Sequence, residues 1–214
     1  MEYCKNSENS ASKGSANAFT IIELLSVVAV VVVLVGITFG VTKGVNNQQA
    51  RTKARAELAM IAQALEEFKL TYGDYPISSQ GDAVTTSNNA QDLLLALTGF
   101  AYLEAGTAQG TKVMTEVDSG KQRKSFIDVD RMNLINDFGI PTSPNDLDNN
   151  YLIDPWRQPY VYVYNNGSST SSWDNFGYVL FSKGPDGTAD EGVLETQGIL
   201  NESSDNNIDN IYLN

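Results

Sequence analysis

Five carboxylates crowd two short stretches near the end of the chain: Asp186, Asp190 and Glu191 in GPDGTADEG, and Asp205 and Asp209 in SSDNNIDNI. Calcium takes six to eight oxygens from carboxylates, carbonyls and water, so these stretches could supply several ligands. Ordinary Asp-Gly turn chemistry accounts for the same residues without a metal, and both readings stand at this level. An EF-hand is excluded, because DLDNNY has Tyr151 where that loop needs Gly and DNNIDN ends too near the C-terminus. Glu23 is a second candidate, the one charged residue between Phe19 and Val41. An ionised carboxylate in lipid costs about 2.5–3.5 kcal/mol on insertion scales, so its default reading is functional. The plainer alternative is a glutamate snorkelling to the interface. Paired carboxylates can also serve as acid and base in hydrolysis, but these spacings argue no pocket.

Composition removes several chemistries. The 214 residues include no histidine, which excludes His-based zinc sites and any triad or dyad needing imidazole. The sole cysteine, Cys4, precedes the apolar run, so the folded part holds no internal disulfide; oxygen-coordinated calcium is one other source of rigidity. The formal charge of −12 is uneven, +1 over residues 1–73 and −13 over 74–214. An acidic globular part argues against nucleic acid and leaves cations or basic surfaces as partners.

The elements that position these residues read as follows. Residues 1–18 are polar and rich in Ser and Asn, a disordered leader. Residues 19–41 are long and apolar enough to be expected to cross a ~30 Å hydrocarbon core as a helix. A cleaved secretory signal fits poorly, since the run is too long and no A-x-A-like site follows. Over 42–73, Ala54, Leu58, Ile61, Leu65 and Phe68 draw one stripe along a helix that Gly73 and Pro76 end. With no proline between the two parts, one helix of about 54 residues is expected, half in lipid and half amphipathic. Gly36, Gly40 and Gly44 recur within it, as close helix packing or simply as the higher glycine content of membrane helices. Residues 74–150 are loop-rich, with a short helical pattern in QDLLLALTG. In 151–214, PYVYVYNN and FGYVLFS read as paired strands, and DNIYLN as another short one. Tyr160, Tyr162 and Tyr164 share a strand face, suited to carbohydrate or partner contact or, more commonly, to packing. Helix first and strands later predicts an α+β fold, a long N-terminal helix on a small antiparallel sheet.

AFTIIELL at 18–25, followed by the apolar run, resembles the type IV prepilin cleavage and methylation segment. ELAMIAQALEEFKLTYGDYP, LIDPWRQPYVYV and FSKGPDG are similar to the major pseudopilin of type II secretion systems; 100–150 is unmatched. The resemblance implies a pilin-like fold and a non-enzymatic subunit polymerising into a periplasmic filament for protein secretion. It implies that prepilin peptidase cuts between Ala18 and Phe19, removes the cytoplasmic leader and N-methylates Phe19. It also implies that Glu23 meets the amine of a neighbouring copy. Implied partners are further copies, minor pseudopilins, an inner-membrane assembly platform and the membrane, which holds the precursor single-pass with its C-terminal domain in the periplasm. Related readings are a type IV pilus subunit for adhesion or motility, and a single-pass membrane protein presenting a calcium- or glycan-binding domain. By the same match, Asp186 and Asp209 are the best calcium ligands, with Asp205 next and Ser182 as a carbonyl or hydroxyl donor. The chain departs from the family pattern in having Ala18 where Gly is usual before the cut, and Gly40 where relatives often place proline.

Overall fold

The computed structural model of the chain describes residues 20–77, 87–108, 111–118, 120–135, 150–165, 177–190 and 204–213, with the side chains of 38–45 and 87–88 excepted. Ala18, Phe19 and the leader therefore lie outside the described residues, as does Glu191. The chain divides into two compact units, Met1–Val45 and Asn46–Asn214. Helix α1 (Ile21–Tyr72) contributes to both.

In the first unit, the start of α1 explains Glu23 locally. The Thr20 backbone N–H and hydroxyl donate to Glu23 Oε2 at 2.9 and 2.8 Å, and the Glu23 N–H donates back to Thr20 Oγ1 at 3.3 Å. This is a reciprocal capping box, which satisfies donors that the first turn leaves without helical partners. The described side chains from Ile21 to Ile37 are all exposed.

Among the described residues no helix is long and apolar enough to cross a membrane. The transmembrane helix expected over 19–41 is corrected on this finding, and with it the half-transmembrane, half-amphipathic pilin-like fold. The single-pass inner-membrane localisation loses its anchor in the same way. The sheet expectation changes too. In place of one sheet there are, among the described residues, three small open ones.

The second unit is built around the stripe on α1. Ala54, Leu58, Ile61, Leu65 and Phe68 are fully buried. Their spacing of three and four keeps them on one face of the helix. They pack with Leu93, Leu94 and Leu97 of α2 (Ser87–Thr98), with Phe100, and with the tyrosines of the last sheet. Helix α2 begins earlier than QDLLLALTG suggests, and it ends as that pattern predicts, at Gly99. There the Gly99 N–H reaches the Ala96 carbonyl and the Phe100 N–H the Leu95 carbonyl, a Schellman close. Gly99 has φ +81°, and a Cβ on it would meet the carbonyl oxygens of Arg123 and Lys124 at 2.6 and 2.7 Å. The segment KQRKSF is laid across this helix end. The Arg123 N–H donates to the Gly99 carbonyl, the Phe126 N–H to Leu97, and Gln122 Nε2 to Thr98.

Strands β1 (Ala101–Ala105) and β2 (Lys112–Glu116) pair antiparallel, with Leu103 opposite Met114. After a 3-10 turn at Val129–Arg131, β3 (Asn133–Leu134) pairs antiparallel with β4 (Leu152–Ile153). The third sheet has the order β5 (Val161–Asn165), β6 (Gly177–Ser182), β7 (Ile211–Tyr212), antiparallel throughout. Tyr160, Tyr162 and Tyr164 face the main core, while Val161, Val163, Val179 and Phe181 form a second cluster on the other face. The tyrosine row is therefore packed, the commoner of the readings its spacing allows.

Candidate metal centre in the C-terminal loop

Two segments leaving the third sheet meet in one loop cluster. The first follows β6 as SKGPDGTAD, and the second is the 3-10 turn Asp205–Asn207 with the residues leading into β7. A turn over Gly184–Gly187 closes with the Gly187 N–H to the Gly184 carbonyl at 3.3 Å. Gly184 has φ +71°, and a Cβ there would overlap the Asp209 carbonyl oxygen. Only glycine allows this approach.

The approach brings the Asp186 backbone to the Asp209 carboxylate. The Asp186 N–H donates to Asp209 Oδ2 at 3.2 Å. The Asp186 carboxylate turns back on its own strand end, accepting from the Thr188 N–H and hydroxyl, both at 2.8 Å. Asp205 sits exposed in the 3-10 turn. Ser182 is fully buried, and its hydroxyl is engaged twice: it donates to Asp154 Oδ2 at 2.6 Å and accepts from the Gly184 N–H at 3.1 Å. That makes the Ser182 hydroxyl a brace beneath the loop.

Asp190 ties the two segments together. Its N–H donates to Asn207 Oδ1 at 3.0 Å, and its carboxylate accepts from Asn206 Nδ2 at 2.8 Å. Hydrogen bonds from Ser204 and then Asn206 hold the Asp190 carboxyl below its ordinary range. Asn210 Nδ2 donates to Asn207 Oδ1 at 3.2 Å.

Two oxygens are left over. Asp209 Oδ1 and Asn210 Oδ1 are buried and have no hydrogen-bond partner. Most buried polar atoms are partnered, and an unpartnered one costs about 1–3 kcal/mol. Two acceptors, on consecutive residues and both without donors, suit a cation. The donor set is hard oxygen, carboxylate plus amide, which fits calcium rather than a thiolate- or imidazole-seeking metal. Among the described residues, no group of three or more Asp, Glu, Cys or His is placed to hold a metal together. A site here therefore draws on one carboxylate with amide, carbonyl and water oxygens.

Sequence reasoning missed three residues of consequence. Asn210 carries no charge, and a search led by carboxylates passes over it. Asp154 is only 1% exposed; its Oδ1 accepts the N–H groups of Trp156 and Gln158, both at 2.9 Å. Burial pushes the Asp154 carboxyl up, against the hydrogen bonds from Ser182, Gln158 and Trp156. The Asp-Pro opening of DPWRQ, a turn signal, was the available hint. Glu57, 2% exposed, accepts the Tyr160 hydroxyl at 2.5 Å. It lies three residues after Ala54 and four before Ile61, on the buried stripe itself.

One further cavity, of about 440 Å³, is bounded by Ile77, Leu95 and Met114 with Asp92, Lys112 and Glu116 at its polar side. Its ammonium is engaged, with Lys112 Nζ donating to the Tyr72 carbonyl at 2.7 Å.

Comparison with known proteins returns no matching family model, no matching characterised protein and no matching solved structure. With no membrane-crossing helix among the described residues, the resemblance to a type II secretion pseudopilin is corrected. The periplasmic filament goes with it, as do the pilus and membrane-anchored alternatives and the peptidase, assembly-platform, minor-subunit and membrane partners.

Proposed function

We propose that residues 46–214 form a non-enzymatic, calcium-binding domain whose C-terminal loop is fastened by the ion. The observation that carries this is the pair of buried, donorless oxygens, Asp209 Oδ1 and Asn210 Oδ1. Asp209 and Asn210 would supply side-chain oxygens, and carbonyls and water would complete the shell that calcium needs. With a single carboxylate at its centre, the site belongs with weak calcium sites, on the order of 10⁻⁴–10⁻³ M, since affinity follows the charge of the ligand set. The ion's role is structural, replacing the rigidity that disulfides give other small domains. The lack of histidine removes imidazole catalysis and is consistent with a binding rather than a chemical role.

Thermal unfolding of the full chain in chelator and in calcium tests the proposal. Calcium at about 100 times its dissociation constant adds about 2.7 kcal/mol. For a domain of this size that raises Tm by about 5–11 °C. Asp209→Asn and Asn210→Ala should each shrink the rise. A melt that is unchanged at that excess, about 10–100 mM calcium for such a site, rejects it.

A further inference from the structure

We infer that Asp154, more than 20 residues before the loop in sequence, is the positioning residue of the calcium loop and sets its affinity without touching the ion; this rests on the calcium reading above. Its side chain is buried between the turn after β4 and the end of β6. One oxygen, Oδ1, gathers the N–H groups of Trp156 and Gln158 and so fixes the DPWRQ turn. The other, Oδ2, takes the Ser182 hydroxyl proton at 2.6 Å. That donation settles the orientation of the hydroxyl, leaving a Ser182 lone pair for the Gly184 N–H at 3.1 Å. Gly184 is in turn pressed against the Asp209 carbonyl, and the Asp186 N–H two residues on holds Asp209 Oδ2. The path Asp154, Ser182, Gly184, Asp209 is thus a continuous relay of contacts from a buried carboxylate to the proposed ligand.

A second link joins the same two parts. The Gln158 side chain lies about 3.0 Å from where a Cβ on Gly187 would be, so the DPWRQ turn also abuts the far end of the Gly184–Gly187 turn. Gln158 is itself held by Asp154 through its N–H. One carboxylate therefore seats the loop at both ends. Groups that orient metal ligands from outside the coordination shell typically change metal affinity about 10–100-fold when altered.

Asp154→Asn is the informative substitution. The amide keeps an oxygen for Trp156 and Gln158, but presents N–H₂ to Ser182, so the hydroxyl loses its acceptor and the relay reverses polarity. Ser182→Ala removes the same link from the other side with little change of volume. Calcium titration of the full chain by calorimetry should show an affinity loss of about 10-fold for Asp154→Asn and for Ser182→Ala. The double variant should lose no more than either single one, since coupled residues on one path are not additive. Wild-type affinity in Asp154→Asn, or fully additive losses, overturns the inference. Amide exchange in calcium-free protein separates this idea from the calcium reading. Faster exchange at Gly184 and Asp186 in Asp154→Asn supports the positioning role even if the wild type binds no calcium, an outcome that sinks only the proposed function. Unchanged exchange there overturns the positioning role. Ser182→Ala gives the same readouts should Asp154→Asn fail to fold.

Discussion

Replacing Tyr160 by Phe deletes one oxygen atom and keeps the ring, so its effect isolates a single buried hydrogen bond. The Tyr160 hydroxyl donates to Glu57 Oε2 at 2.5 Å, where α1 meets the entry to β5. Glu57 Oε1 has no hydrogen-bond partner, and the Lys53 ammonium 3.5 Å away is on a half-exposed side chain. Burial first, then the bond to Glu57, raises the Tyr160 phenol far above its ordinary range, so it stays a donor across the usable pH scale. A hydrogen bond to a charged group contributes about 1.5–3 kcal/mol. The expected loss for Tyr160→Phe is therefore about 1.5–3 kcal/mol, or about 3–12 °C in Tm for a domain of this size. Urea denaturation should move the midpoint and leave the slope unchanged. The double variant Glu57→Leu with Tyr160→Phe should recover part of the loss, since it removes both polar partners together. Stability within about 0.5 kcal/mol of wild type for Tyr160→Phe would refute the reasoning, as changes that small are typical of surface sites.

Two other outcomes follow from the geometry. Hydrogen bonds from the Thr20 N–H and then its hydroxyl hold the Glu23 carboxyl below its ordinary value. The capping contribution is therefore complete above that value and is lost as pH falls through the lower folded one; amides in the first turn of α1 should exchange faster in acid, and Glu23→Ala should remove that pH dependence. Gly99→Ala should cost about 2 kcal/mol or more, from the left-handed backbone together with the overlap on the Arg123 and Lys124 carbonyls. A thermal melt reads it as a drop of about 4–8 °C, and an unchanged melt would contradict the described path of KQRKSF over α2.

What was legible in the sequence was whatever repeats locally. The stripe from Ala54 to Phe68 shows itself by a helical period, and each of its residues is buried. PYVYVYNN and FGYVLFS alternate as strands, and their pairing places Tyr162 opposite Leu180 and Val163 opposite Val179. The short strand in DNIYLN was visible as well, and β7 pairs with β6 at Ser182 and Ile211. What was hidden depends on partners distant in the chain. The Glu57 and Tyr160 contact spans 103 residues, and no local pattern relates a helix carboxylate to a strand phenol. Asp154 and Ser182 are 28 apart, and read singly they are a turn residue and a strand end. Asn210 is invisible to arguments from charge because its part depends on an amide oxygen being enclosed. Run length and one embedded Glu invited a membrane helix, whereas the described start of α1 uses that Glu to close its own first turn.

The third sheet is apolar on both sides, and among the described residues its outer side has a thin cover. Val161, Val163, Val179 and Phe181 are sheltered there by Ala189 and by Tyr212, whose ring centroid lies 5.0 Å from that of Phe181. Ala189 belongs to the segment that Asp190 fastens to Asn206 and Asn207. Under the proposed calcium reading, chelation would do more than lower a melting point: by loosening that segment it would bare a valine- and phenylalanine-lined strip to water, turning loss of one cation into stickiness, dye uptake and clumping.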